Sequence, residues 1–401
     1  MKETLEPQLV RIAEIIKDDY SKSEHIGLLS GRSGLALFQF YCAKYFDDDS
    51  YAEVGVEILS SITESIDNGY SYATYCNGIA GFCWTVQHLV EHDFIDLDVK
   101  ELLDPFDSFL FSQQEFELNN GNYDFLHGAM GYAFYFLSRY LGSSDNESRE
   151  KYETFLESFV LRMEEMAIPD GPDFKWESVL DEEKGDKVFN LGLSHGMSSI
   201  VYFFCRLYDA SILRDKLTPL INGAIGYILR FENKGETGFS LFPNWIVPGS
   251  PPEHHSRLAW CYGDIGIAIA LGTVGRTFGK PDLETKSEEI LLHSAKRVRV
   301  EETIVVDAGF CHGSYGNAHM FESFAARFKN DRFKEIAEFW LTDGIDKHTG
   351  DALEPYRQYN HMRDSWAFDI DVLEGVAGIG LCMIDYLSEE NNTWDECLML
   401  R

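Results

Sequence analysis

Three histidines stand one residue before a glycine, His127, His195 and His312, and three cysteines stand two residues before one, Cys76, Cys261 and Cys311. Thiolate and imidazole are donors that zinc takes, usually four in a tetrahedron, and a catalytic zinc keeps three protein ligands and one open position. Cys311 and His312 offer two donors from a single turn, and Cys261 offers a third from a turn of the same pattern. Each of these residues taken alone also fits plain core packing, since free cysteines are commonly buried. Their shared register favours one zinc ion per chain, held by Cys261, Cys311 and His312. Cys76, though in register, is expected to be structural. His254-His255 is a weaker metal pair, lying in a proline-rich stretch with no cysteine in register.

Other residues in this register suit proton transfer. His195, in Ser194-His195-Gly196, reads either as a structural histidine capping its turn or as an acid/base group, because an imidazole titrates near neutral pH. Asp124, four residues before Gly128, either caps a helix or orients and exchanges a proton. Arg257, six before Gly263, either pairs with surface carboxylates or stabilises an oxyanion. His127 takes the structural reading.

The glycines that set this register belong to a repeat. Gly-x-x-Gly recurs at Gly31, Gly78, Gly128, Gly263, Gly313 and Gly375, and a seventh copy, Gly196-Met-Ser-Ser199, has lost its second glycine. Intervals between the first glycines are 47, 50, 68, 67, 50 and 62 residues, each enough for two helices and their connections. Before the first copy, Leu5, Leu9, Ile12, Ile15 and Ile16 mark one face of an amphipathic helix, as an outer helix requires. After it, Leu35-Ala36-Leu37-Phe38-Gln39-Phe40 is apolar nearly all round, as a buried inner helix should be. Seven such hairpins predict an all-α chain, an α/α toroid with inner and outer layers over residues 1–401 as a single domain; an open solenoid is the structural alternative. If every inner helix starts at its motif, the chemistry gathers at one end of the ring, with the zinc donors in adjacent repeats five and six. Two segments fall outside the scheme, about 167–188 with Pro169-Asp170-Gly171-Pro172 and the acidic run Asp181-Glu182-Glu183, and about 239–256 with Pro243, Pro248, Pro251 and Pro252. Both read as long loops of the kind that line sites.

Composition narrows the partners. With 67 acidic and 34 basic residues the formal charge is -33, which repels phosphate backbones and anionic headgroups, so nucleic acid is excluded as a partner. The start, Met1 to Pro7, has neither the basic nor the apolar stretch of a signal peptide. The ten-residue run Ile265 to Val274 is too short for a spanning helix, which needs about 20 residues. A cytoplasmic chain follows, and its eight cysteines then argue for metal, catalysis or burial rather than disulfides.

On Arg257-Leu258-Ala259-Trp260-Cys261-Tyr262-Gly263 and Cys311-His312-Gly313, supported by Ser194-His195-Gly196 and Asp124-x-x-x-Gly128, the sequence resembles the lanthionine synthetase C-like family over essentially its whole length. The departures are Ser199 in the fourth motif and Phe125-Leu126-His127 before the third. The resemblance implies a lanthipeptide cyclase, in which a substrate cysteine thiol adds to dehydroalanine or dehydrobutyrine to form a (methyl)lanthionine thioether. It implies zinc at Cys261, Cys311 and His312, with His195, Asp124, Arg257 and Tyr262 facing the reaction centre. His195 is then the proton donor, Arg257 the enolate stabiliser, Asp124 an orienting group and Tyr262 a pocket wall. Two thiolates and a neutral imidazole would make an electron-rich site that lowers a thiol pKa while leaving the sulfur nucleophilic. The substrate would be a dehydrated precursor peptide, prepared by a separate dehydratase, with a membrane transporter as a further partner through which the enzyme could meet the membrane. The alternatives are a glutathione-adding relative, a zinc hydrolase, against which the lack of a His-Glu-x-x-His motif speaks, and a non-catalytic zinc-stabilised peptide-binding scaffold.

Overall fold

The structure, a computed structural model, describes residues 2–181, 186–235, 238–347, 356–360, 364–388 and 391–401. Among these lie fifteen α-helices: α1 Lys2–Asp19, α2 Arg32–Phe46, α3 Asp49–Asp67, α4 Ile79–Glu91, α5 Val99–Asn119, α6 Ala129–Gly142, α7 Asn146–Met166, α8 Met197–Asp209, α9 Arg214–Leu229, α10 Asp264–Phe278, α11 Pro281–Ser294, α12 Val300–Thr303, α13 Ser314–Phe328, α14 Asp331–Asp346 and α15 Val376–Leu387. The chain divides into two compact units, one of Met1–Leu110 with Val306–Arg401 and one of Phe111–Val305. In the first, α15 packs against both α2 and α13, and α2 against α4; α3, α14 and α1 lie on α2, α13 and α15. In the second, α10 packs on α8, and α7, α9 and α11 pair with α6, α8 and α10.

The repeat explains this alternation. Gly31, Gly78, Gly128, Gly196, Gly263, Gly313 and Gly375 each immediately precede a helix, and those seven helices are the buried ones. Every residue of α2 from Arg32 to Cys42 is buried, whereas α1 buries only Leu5, Leu9, Ile12, Ala13 and Ile16. The one amide in the apolar run, Gln39, donates from Nε2 to the carbonyl of Ala13 on α1 at 3.0 Å, so its polar end is used to fasten inner helix to outer. The second glycine has a steric role. A Cβ on Gly316 would fall 1.8 Å from the carbonyl oxygen of Phe310, and one on Gly378 would fall 1.9 Å from that of Val372. In both, the backbone six residues upstream lies against the first helical turn, where only glycine fits. At the degenerate fourth motif the Ser199 hydroxyl donates to Gly196 O at 2.6 Å, closing the same turn by another bond.

The loops entering these helices are tied to one another. In the first unit Cys311 N donates to Leu373 O and Leu373 N to Leu29 O, each at 2.9 Å, while Leu29 N and Ser30 N both donate to Cys76 O at 3.1 Å. In the second, Leu193 N and Ser194 N donate to Cys261 O at 3.1 and 3.3 Å. Within each unit the pre-glycine residues therefore lie in one layer of loops, as their common register predicts.

The two segments expected to be plain loops contain strands. β1 Ile168–Asp170 and β2 Asp173–Lys175 form a hairpin through Gly171, whose φ of +67° a side chain would resist. β3 Ser178–Asp181 pairs with β4 Asp186–Asn190, and β4 pairs with β5 Trp245–Ile246 in the other segment. Prolines and glycines that exclude helix are compatible with short hairpins, so the two segments fasten to each other. Glu182 and Glu183 of the acidic run lie outside the described residues. A further short hairpin, β6 Gln358–Asn360 with β7 Ser365–Ala367, precedes α15. No helix among the described residues is long and apolar enough to cross a membrane.

Candidate functional site

In the second unit, His195 and Asp124 meet from different hairpins. His195 Nδ1 lies 2.6 Å from Asp124 Oδ2, and Asp124 Oδ1 accepts the backbone N–H groups of Leu126 and His127, each at 2.8 Å. One carboxylate oxygen thus caps the turn before α6 while the other holds the imidazole. Burial favours the neutral carboxyl of Asp124, but the charge and hydrogen bond of His195 outweigh it and leave its pKa below the ordinary value. Burial likewise disfavours the imidazolium, but Asp124, with a smaller contribution from Cys261, holds the His195 pKa above normal. Each partner thus favours the charged form of the other.

This pair opens on a cavity of about 610 Å³ whose lining includes Asn122, Tyr123, Asp124, His127, Asn190, His195 and Tyr262. The Tyr262 ring sits 5.8 Å from that of His195 and meets Trp245 edge-on at 5.7 Å, so β5 buttresses the wall that Tyr262 makes. Gly192 fits beneath it, since a Cβ there would come within 2.9 Å of Tyr262 Cδ1. Cys261 is buried, and its carbonyl also accepts the Ser194 hydroxyl at 3.1 Å, so the turns carrying Cys261 and His195 are bonded directly. Gly263 has φ +84°, alone in positive φ among the seven first glycines, and this reverses the chain after Cys261 into α10. Asp264 then accepts from Leu241 N and Phe242 N at 3.1 and 2.9 Å and from Arg297 at 3.3 Å, anchoring that turn. Arg257 is half-buried in the same turn and is not among the residues lining this cavity.

In the first unit, Cys311 and His312 are both buried. His312 Nδ1 lies 3.3 Å from Asp307 Oδ2, and its Nε2 lies 3.7 Å from Glu374 Oε1. Asp307 is held in turn by Gly309 N and Tyr359 N, both at 3.1 Å. Burial opposes its charge, yet His312 and these N–H groups keep its pKa below the ordinary value. A carboxylate near Nδ1 is the kind of outer partner that supports a metal-bound histidine. Within this unit Cys311 and His312 thus offer one thiol and one imidazole from a single turn, donor types that zinc takes.

The structure thus gathers Asp124, His195 and Tyr262 at one cavity, places Cys261 on the adjoining turn, and sets Cys311 with His312 on one turn of the first unit. Cys76 is buried with its carbonyl spent on the neighbouring loop, and His254 Nε2 is 3.0 Å from Phe231 O, fastening its own segment. Sequence reasoning missed Asp307, Glu374 and Trp245. Two of them carried a signal: Asp307 stands six before Gly313, the position Arg257 holds before Gly263, and Glu374 stands one before Gly375, where other repeats carry histidine. Trp245 had none.

Among solved structures the chain is similar to nisin cyclase, with a TM-score of 0.81 at 17% identity over 100% of this chain and 98% of that one. That likeness shows the fold, and the all-α, α/α toroid class expected from the glycine repeat stands. The family model for lanthionine synthetase C-like proteins matches residues 23–399. The chain therefore belongs to the lanthionine synthetase C-like family.

Proposed function

We propose that this chain is a zinc-dependent lanthipeptide cyclase, working as one catalytic domain in the cytoplasm on a dehydrated precursor peptide supplied by a separate dehydratase, with a membrane transporter as a further partner. The observation that carries the reading is the direct bonding of the turn presenting Cys261 to the turn presenting the His195–Asp124 pair, beside a cavity of about 610 Å³. Membership of the family and the likeness to nisin cyclase support it.

Cys261, Cys311 and His312 would hold one zinc ion, which when bound supplies a Lewis acid that keeps a thiol deprotonated at neutral pH. The substrate thiol gives up its proton to solvent, from which His195 is later reprotonated; the sulfur attacks Cβ of the dehydroamino acid, and the electron pair of the C=C bond moves to form an enolate at the adjoining carbonyl. His195 then delivers its proton to Cα. Asp124 suits that role by holding the imidazole protonated and fixed in direction. Arg257 is assigned to the enolate oxygen, and Tyr262 to the wall that seats the peptide.

The test is conversion of a dehydrated precursor peptide, followed by mass spectrometry after alkylation of free thiols. Disappearance of alkylatable cysteines at constant mass is expected. A protein that binds the peptide and leaves its thiols free would be a scaffold, and one that adds glutathione would raise the mass; either result overturns the cyclase reading.

A further inference from the structure

In the first unit, α4 ends in an arrangement that the cyclase chemistry does not use. His88 in the last turn of α4 and His92 at its C-cap stand four residues apart, so both rings fall on one helix face. Their centroids are 4.4 Å apart. The chain's final short helix, Trp394–Leu398, brings Glu396 to the same point, and one donor atom from each of His88, His92 and Glu396 lies within 4.8 Å of the others. We propose that His88, His92 and Glu396 form a second divalent metal site, of the zinc class, that clamps the C-terminal segment to the end of α4.

Two imidazoles and a carboxylate are an established donor set for zinc, with a fourth position left for water. Zinc bonds of about 2.0 Å in a tetrahedron put donors about 3.3 Å apart, so the three groups must close by little more than an ångström. His92 is exposed and Glu396 half-buried, which leaves both side chains room to do so, while His88 is the fixed member. His88 stacks on Trp84 at 4.8 Å and its Nε2 lies 3.0 Å from the Tyr41 hydroxyl. The Thr393 hydroxyl stands 3.0 Å from His92 Nε2 and 3.4 Å from Tyr41 Oη. Hydroxyls beside the imidazole nitrogens are the kind of outer partner that orients metal-bound rings. Nitrogen and oxygen donors without sulfur distinguish this site from a cysteine-containing one.

The clamp has a defined effect on the chain. Trp394, Cys397 and Leu398 are fully buried, so this short helix is part of the core of its unit, and the metal would fasten it to the end of α4. Metal that binds only the folded chain raises its melting temperature.

The experiment loads the full chain with Zn²⁺ or Co²⁺, removes excess by gel filtration, and reads metal by plasma emission, with His92→Ala and Glu396→Gln in parallel. Both variants are expected to hold one equivalent less than the unaltered chain, to lose the zinc-dependent rise in Tm, and to keep cyclase activity. In the cobalt forms, the thiolate-to-cobalt absorption band, which only a cysteine-containing site gives, should be equal in all three proteins. Equal metal content in all three overturns the inference, as does a loss confined to the thiolate band. If the cysteine site itself fails to bind, the band is absent throughout while the His92-dependent equivalent remains, so the two proposals fail separately.

Discussion

His195 and His312 hold the same place in the repeat, one residue before the glycine that opens a buried helix, and each has Nδ1 facing an aspartate. The pairs differ in where the aspartate comes from. Asp124 lies 71 residues from His195, in another hairpin, at 2.6 Å and on the wall of a large cavity. Asp307 lies in the loop of His312 itself, at 3.3 Å, and divides its oxygens among two N–H groups and the ring. His195 keeps 29% of its side chain exposed and His312 10%. A tight, charged pair at a cavity suits a group that gives up and regains a proton. A local pair that only fixes ring direction, with the other nitrogen beside Glu374, suits a ligand. On the proposed function one register would supply two chemistries, and the partner of Nδ1 would decide which.

The largest expected effect lies on the ligand side. His312→Ala and Cys311→Ala should each lose one equivalent of zinc and all measurable cyclisation together, because on the proposed function the nucleophile would be generated there. Zinc retained at the level of the unaltered chain, read by atomic emission, would make the His312–Asp307 pair structural and erase the contrast.

Asp124→Asn sharpens the other side. The His195 pKa is raised chiefly by Asp124, so the donor stays protonated to higher pH than a free imidazole and its activity falls only as pH rises through that raised value. Removing the charge should move this falling limb to lower pH and slow the reaction at neutral pH, leaving zinc unchanged. An unmoved limb in the pH–rate profile would mean that the carboxylate does not tune His195. The same pair contributes stability that is lost as pH rises through the raised His195 pKa and, at the acid end, as pH falls through the lowered Asp124 pKa.

Asp307→Asn should weaken zinc binding by about 10- to 100-fold, the usual cost of removing an outer partner, with no shift of the pH limb. A competitive chelator titration measures it, and an affinity unchanged from the parent would separate Asp307 from the metal. The smallest effect is expected at Cys76, whose carbonyl holds the neighbouring loop. Cys76→Ala should keep its zinc and lose about 1 kcal/mol of stability in denaturant melts; loss of metal there would show that register alone had misled the choice of ligands.

Much of this was legible because the repeat is rigidly punctuated. Gly316 and Gly378 are required by carbonyls that lie where a Cβ would be, so the spacing in the sequence is a direct record of the packing. The helix order and the loop layer follow from it. What spacing could not give was pairing across hairpins. Asp124 and His195 are 71 residues apart, and nothing local distinguishes Asp124 as a partner from Asp124 as a cap; the structure shows it is both, one oxygen to each task. The strands β3, β4 and β5 were hidden for a related reason: a two-residue strand such as Trp245–Ile246 exists only because β4 lies beside it. Glu396 was out of reach in the same way, although the His88-x-x-x-His92 spacing stands in plain view.

The claim that one register carries two chemistries is tested most directly by His195→Asn, with zinc content and cyclisation rate measured on one preparation. The account expects zinc equal to that of the unaltered chain and cyclisation slower by about 10²- to 10⁴-fold, the usual contribution of a general acid. Residual thioether rings, formed by uncatalysed addition, would show looser choice of which cysteine meets which acceptor. An unchanged rate and ring pattern would remove His195 from the mechanism, and loss of zinc would show that the ligand and the acid had been assigned to the wrong histidines.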